Sequence, residues 1–363
     1  MENKKIDDLR CDLDEIDDKI VELLNQRIEK ASQIGASKAE ASNSQVFIPE
    51  REAAVLERLA TKSCKNLDAK SLEEIYREIF SVCRKVQFGG KVCVLGEKHG
   101  WVNASALNRF GTASEIMVGE NFDDFMSLMA HGRGNLGFVP VTPDHGEYRR
   151  NIYEALLSRR LSVCEQFELK PEFALVSNRA RELSEAQEIC VTNETLKFFD
   201  KFLVSLSFDL KINICRSMSE VLETLGSINP VAAILPAAML KLFPELILLQ
   251  RDLFSDRLGN IKFFSVTTGQ AAPMKPGCRM ILLFVLNRFE DKFSEICSIM
   301  SSCKTKVVDV QKLSFGNKPL ESILVAEIII PEDTGTIETM LKELEANSFI
   351  VTCAGVYPFV AAD

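Results

Sequence analysis

The chain has 363 residues, enough for two or three domains at roughly 100–200 residues each. It is 46% hydrophobic and 26% charged, a globular composition that excludes wholesale disorder. Forty-three basic against 52 acidic side chains leave a formal charge of −9, which argues against the concentrated basic face of a nucleic-acid binder. A small anionic ligand stays possible, because a few placed cations can hold one inside an acidic protein. Eleven cysteines stand singly, without CxxC or metal-type spacing, beside only three histidines. That pattern suits reduced core thiols in a cytoplasmic protein, with no metal and no cofactor expected.

The first residues are dense in Asp and Glu and lack the apolar core of a secretory signal. Ile6, Leu9, Leu13, Ile16, Ile20, Leu23, Ile28, Ala31 and Ile34 recur mostly at steps of three and four, which predicts one amphipathic helix. Carried to Lys38 it has about 33 residues and a length of about 50 Å. One small domain cannot cover so long an apolar stripe. Two readings fit it: a coiled-coil dimerisation arm, or an intertwined helical dimer with a site between subunits. A second helix starts at Pro49, with Glu50 and Glu52 in its first turn. A third, capped within Asn66-Leu67-Asp68, runs through Leu72, Ile75, Ile79, Phe80 and Val82 to about Gln87. Gly89-Gly90 then marks a boundary.

This region resembles the all-helical class of chorismate mutase. The residues that carry the resemblance are Leu9-Arg10, Leu24-Asn25-Gln26-Arg27, Ile34-Gly35-Ala36-Ser37-Lys38, Val46 through Glu52, and Ser81 through Gln87. The resemblance implies conversion of chorismate to prephenate, one pericyclic step in aromatic amino acid (phenylalanine/tyrosine) biosynthesis. Such chemistry needs orientation and a preorganised electrostatic environment rather than a nucleophile. It implies that Arg27 and a partner-supplied Arg10 hold the carboxylates, and that Lys38 and Gln87 donate to the ether oxygen. Glu52 accepts from the ring hydroxyl and Arg51 orients beside them. Ile48 and Cys83 occupy substrate-side positions where the family commonly has Asp and a small residue such as Ser. Helix geometry agrees in part: Lys38 lies within about 20° of Arg27 around the helix, and Arg10 about 100° away.

From Lys91 the pattern becomes α/β, with buried strands at 92–96, 136–140 and 174–176 and helices at 122–130 and 151–157. Order and position resemble the two-lobed prephenate dehydratase part of bifunctional P-proteins. The family's motifs have eroded. Gly96-Glu97-Lys98-His99-Gly100-Trp101 stands for the Gly-Pro-x-Gly opening, and Pro140-Val141-Thr142-Pro143-Asp144 for the Pro-x-Glu-Asn loop. Lys262-Phe263-Phe264 stands for Thr-Arg-Phe. The resemblance therefore implies a dehydratase fold without its acid and its cation. His99, His131 and His145 read as solvated loop residues, and Lys98, Trp101 and Asn103 as possible cleft contacts. The apolar run at 230–250 is cut by Pro230, Pro236, Lys241 and Pro244 and reads as core, not as a membrane span.

The last segment reads βαββαβ: strands 279–286, 306–313, 322–330 and 349–356, helices 291–301 and 336–347. This ferredoxin-like pattern resembles an ACT domain. The family's effector motifs are missing; Asp291-Lys292-Phe293-Ser294 and Lys312-Leu313-Ser314-Phe315 stand near their places. The expected architecture is thus a multi-domain α plus α/β chain. It comprises an intertwined all-helical mutase domain (1–90), a two-lobed dehydratase-like domain (91–275) and an ACT-like domain (278–363). The expected activity is that of a chorismate mutase, a homodimer with shared sites and an inactive dehydratase-like part. A working bifunctional enzyme and a non-catalytic dimeric metabolite sensor are the alternatives.

Overall fold

The computed structural model describes residues 2–40, 47–61, 66–131, 136–141, 146–206, 210–253, 259–268, 271–286, 289–303, 305–314, 322–347 and 349–358. Three helices come first: α1 (Glu2–Glu40), α2 (Pro49–Ala60) and α3 (Ala69–Phe88). The Asp68 carboxylate caps α3 by accepting from the Ser71 N–H at 2.7 Å. Gly89, at φ 85°, ends the helix and returns its N–H to the Lys85 carbonyl. Helix α2 opens on Pro49, but its cap residue Ile48 has no side-chain acceptor to offer. Arg27 meets Cys83, and Gly35 meets Gln87. Both numbers rise together, so α3 runs in the same direction as α1.

The α/β part begins with β1 (Lys91–Leu95), α4 (Trp101–Phe110), β2 (Glu115–Gly119), α5 (Phe122–His131), β3 (Leu136–Pro140), α6 (Gly146–Leu157) and β4 (Leu161–Leu169). A second lobe follows: β5 (Phe173–Ser177), β6 (Glu188–Thr192), α7 (Asn193–Ser205), β7 (Lys211–Cys215), α8 (Met218–Leu225), β8 (Val231–Pro236) and β9 (Ile247–Leu253). Its five strands order as β7-β6-β8-β5-β9. The chain then returns through β10 (Ile261–Thr268), which lies between β3 and β4 in the first sheet. Strands β1, β3, β5 and β8 are buried along nearly their whole length, as expected of strands covered on both faces.

The last elements are β11 (Arg279–Leu286), α9 (Phe289–Ser302), β12 (Lys306–Ser314), β13 (Ser322–Ile329), α10 (Gly335–Ala346) and β14 (Val351–Tyr357). Their order β12-β13-β11-β14 is the ferredoxin-like arrangement expected of the βαββαβ pattern. The sheet does not stop there. β14 pairs in parallel with β4 at Gly355 and Val163, giving one nine-stranded sheet shared with the first lobe. A Cβ at 355 would lie 2.3 Å from the Val163 carbonyl oxygen, so this junction requires glycine. The polar side of the junction is a hydrogen-bonded group. Arg279 donates to Glu327 at 2.6 Å, and the Tyr357 hydroxyl reaches Gln166 and Glu327 at 3.0 Å each.

Among the described residues no helix is long and apolar enough to cross a membrane, and no cluster of His, Cys, Asp or Glu could hold a metal ion. The described cysteines are free thiols; burial pushes those of Cys93 and Cys190 up to about 12.

Candidate active site

Helices α1 and α3 build the first candidate site. The Arg27 guanidinium donates to Cys83 Sγ at 2.6 Å and lies over the Phe80 ring, 5.3 Å from its centroid. Burial pushes the Cys83 thiol up, although Arg27 opposes the shift, so cysteine stands here as a neutral group. One turn beyond Arg27, Ala31 is buried, and at Gly35 the α1 backbone comes against Gln87. Lys38 follows within one more turn, half-buried, and burial lowers its pKa below the ordinary lysine value. Arg27, Lys38, Cys83 and Gln87 thus gather along the seam between the two helices. Arg27 and Lys38 are separated by about 16 Å along the axis.

Arg10, Arg51 and Ile48 have other surroundings. Arg10 is exposed and pairs with Asp7 at 3.4 Å. It stands about 25 Å along α1 from Arg27, so one chain does not bring it to the site. Arg51 is exposed. Ile48 is half-buried and contributes its carbonyl to the Arg51 N–H at 3.1 Å.

Glu52 has partners that local sequence patterns give no sign of. One carboxylate oxygen accepts from Arg84, and the other lies 3.7 Å from Arg109. Arg109 also pairs with Glu165, whose second oxygen accepts from Ser265 Oγ at 2.8 Å. Arg84 also donates to the Phe110 carbonyl at 2.6 Å, with Phe47 and Phe110 rings beside its guanidinium. Burial lowers the Arg84 pKa, opposed by Glu52. Burial acts on Arg109 in the same sense, but Glu165 and Glu52 outweigh it and raise that pKa. Both guanidinium groups remain charged.

The second candidate region lies between the two lobes. Phe263 of β10 is fully buried, stacked on Phe138 at 4.6 Å and Phe167 at 5.7 Å, with Trp101 edge-on at 6.0 Å. Its apolar cluster includes Phe173, Leu175, Val191 and Ile234 of the second lobe, so side chains of both lobes fill this space. Trp101 and Asn103, expected as cleft contacts, are buried within α4. Trp101 Nε1 donates to Glu194 at 3.0 Å, and Glu97 accepts from the Met218 N–H at the start of α8. Lys262, beside Phe263, turns to the ferredoxin-like unit and pairs with Asp309 at 3.7 Å. His99 is half-buried against Phe243, and His131 sits exposed at the end of α5 beside the Ser127 carbonyl. His145 and residues 142–144 lie outside the described residues.

A helical unit with Arg27 and Gln87 on the contact between α1 and α3 is thus fused to a two-lobed α/β body. Residues 9–88 match the chorismate mutase type II family model and residues 92–268 the prephenate dehydratase model. The chain accordingly joins a chorismate mutase type II region to a prephenate dehydratase region. It is 29% identical over 166 residues to a bifunctional chorismate mutase/prephenate dehydratase of Pseudomonas aeruginosa, covering 45% of this chain and 46% of that protein. It is 31% identical over 142 residues to one of Aquifex aeolicus, covering 38% and 39%. The aligned stretches thus span less than half the length of either relative. A prephenate dehydratase structure from Staphylococcus aureus superposes with a TM-score of 0.57 at 13% identity, covering 74% of this chain and 99% of that one. At that identity the likeness concerns the fold.

Proposed function

We propose that the protein is a chorismate mutase, an isomerase of aromatic amino acid biosynthesis, whose dehydratase-like body has no dehydratase activity. The observation that supports the first half is the α1–α3 contact, with Arg27 on Cys83 and Gly35 against Gln87, and Lys38 on the same face of α1 as Arg27. Chorismate is a dianion that must be held folded while negative charge grows on its breaking ether oxygen. Arg27 supplies a planar fork for one carboxylate. Lys38 and Gln87 donate to the ether oxygen, a contribution that grows as charge develops. A carboxylate has about four lone-pair positions, so Glu52 can hold two arginines and still accept from the ring hydroxyl.

The second carboxylate is met by Arg10 of a second copy, in a homodimer with shared sites. Leu9, Leu13, Ile16, Ile20 and Leu23 are each about half exposed or more on α1, and a second helix covering them would bring its own Arg10 along. The free cysteines support a reducing, cytoplasmic setting. We take the domains as 1–90, 91–275 and 278–363, the last ACT-like in fold and retained for assembly.

Loss of dehydratase chemistry is supported by Phe263. Where the Thr-Arg-Phe segment would offer a cation, this chain has a ring with no exposed surface. Lys262, the remaining cation of that segment, is engaged with Asp309. Incubating the purified protein with chorismate tests the whole reading. Prephenate without phenylpyruvate is expected; phenylpyruvate would overturn the inactive dehydratase, and no turnover would overturn the mutase.

A further inference from the structure

The geometry points to Arg109 and Glu165 as positioning residues of the mutase site: we infer that the dehydratase-like body holds Glu52 in its working orientation. This rests on the mutase reading. Glu52 stands on α2, yet of the two arginines on its carboxylate only Arg84 belongs to the helical unit. Arg109 comes from α4, its other anchor Glu165 from β4, and the hydroxyl that fixes Glu165 from β10. The four charges alternate, Arg84, Glu52, Arg109, Glu165, and sum to zero.

Arg109 has little freedom to shift. Its guanidinium lies 5.5 Å from the Phe47 centroid, 5.4 Å from Phe110 and 5.8 Å from Phe167. Glu165 and Ser265 are buried in the shared sheet. Carboxylates taken out of water are costly unless paired and hydrogen-bonded. A simple fastening between units would be met as well by packed apolar side chains. Joining Arg109 to Glu52 couples the sheet to a carboxylate whose direction matters for the ring hydroxyl. If Glu165 loses its charge, Arg109 turns its full attraction on Glu52 and shifts that carboxylate from the orientation it holds between Arg84 and Arg109.

The test measures kcat and KM for chorismate in the full chain, for wild type, Glu165→Gln, Arg109→Lys, Glu52→Gln and each of the first two combined with Glu52→Gln. Circular dichroism confirms folding. Mutations along a coupled network shift function by about 2- to 30-fold, and that loss of kcat/KM is expected for Glu165→Gln and Arg109→Lys. In the Glu52→Gln background the same changes should alter kcat/KM less than about twofold, because their route to substrate is gone. Should Glu165→Gln fail to fold, Arg109→Lys, which keeps the charge and loses the fork, decides through the same cycle. Folded variants with wild-type kcat/KM, or equal losses in both backgrounds, would overturn the positioning role while leaving the mutase reading standing. A wild-type chain without turnover overturns both.

Discussion

Replacing Gly35 by alanine tests how closely α1 and α3 approach. Within a helix the change should help by about 1 kcal/mol, the usual penalty of glycine against alanine. The structure says otherwise. The added methyl would stand 2.7 Å from the Gln87 carbonyl oxygen and 2.8 Å from its Cα. Ordinary carbon contacts lie near 3.5–4.0 Å, so the helices must part by roughly 0.7–1 Å. Both atoms are backbone, and no side-chain rotation relieves the contact. Overpacking of this kind costs about 1–3 kcal/mol, which leaves about 0–2 kcal/mol of net destabilisation after the helical gain. Turnover should suffer more than stability, because the seam that opens carries Arg27, Lys38 and Gln87. A misplacement of about 1 Å costs on the order of 10²-fold in rate. The assay pairs thermal unfolding by circular dichroism with steady-state chorismate consumption. A Gly35→Ala protein that is more stable and fully active would refute the helix contact and, with it, the placement of the site.

Lys38→Ala should lower kcat by about 10²–10³-fold, the usual cost of one donor to a developing oxyanion, and Arg27→Ala, which removes a charge-assisted carboxylate contact, should lower kcat/KM by about 10- to 10²-fold, both with far-ultraviolet dichroism unchanged; near-wild-type turnover in either removes the assignment. Lys38 acts protonated, and burial lowers its pKa, so kcat/KM should fall with rising pH before the ordinary lysine value of about 10.4, and Lys38→Gln should abolish that limb. For stability the sign is opposite: the unfolded chain binds more protons between the lowered and the ordinary pKa, so stability rises with pH through that window. An alkaline limb of kcat/KM at or above the ordinary lysine value would contradict this. Mixing inactive Arg10→Ala and Lys38→Ala subunits should restore about one working site per heterodimer. Confirmed subunit exchange with no regain of turnover would mean that each chain completes its own site. Phe263→Ala removes a fully buried ring and should cost about 3–5 kcal/mol in urea unfolding; a loss below about 1 kcal/mol would show that the interlobe stack is not packed as described.

What the sequence determined by itself is local and periodic. The three-and-four spacing of Ile6 through Ile34 predicted α1, Asp68 and Gly89 marked the two ends of α3, and the βαββαβ rhythm of the last segment was legible strand by strand. Each follows from backbone geometry that repeats within a few residues. Arg27, Lys38 and Gln87 were singled out only through the resemblance of short motifs on those helices. The tertiary structure alone decided what Glu52 touches, because Arg84 is 32 residues away and Arg109, itself 56 residues from Glu165, belongs to a different unit. No local pattern encodes which distant charge a carboxylate will meet. The same holds for the nine-stranded sheet, joined at one register pair through Gly355, and for Phe263, whose hydrophobicity was plain while its place between two lobes was not. Periodicity says which face of an element is buried; only the packing of whole units says against what.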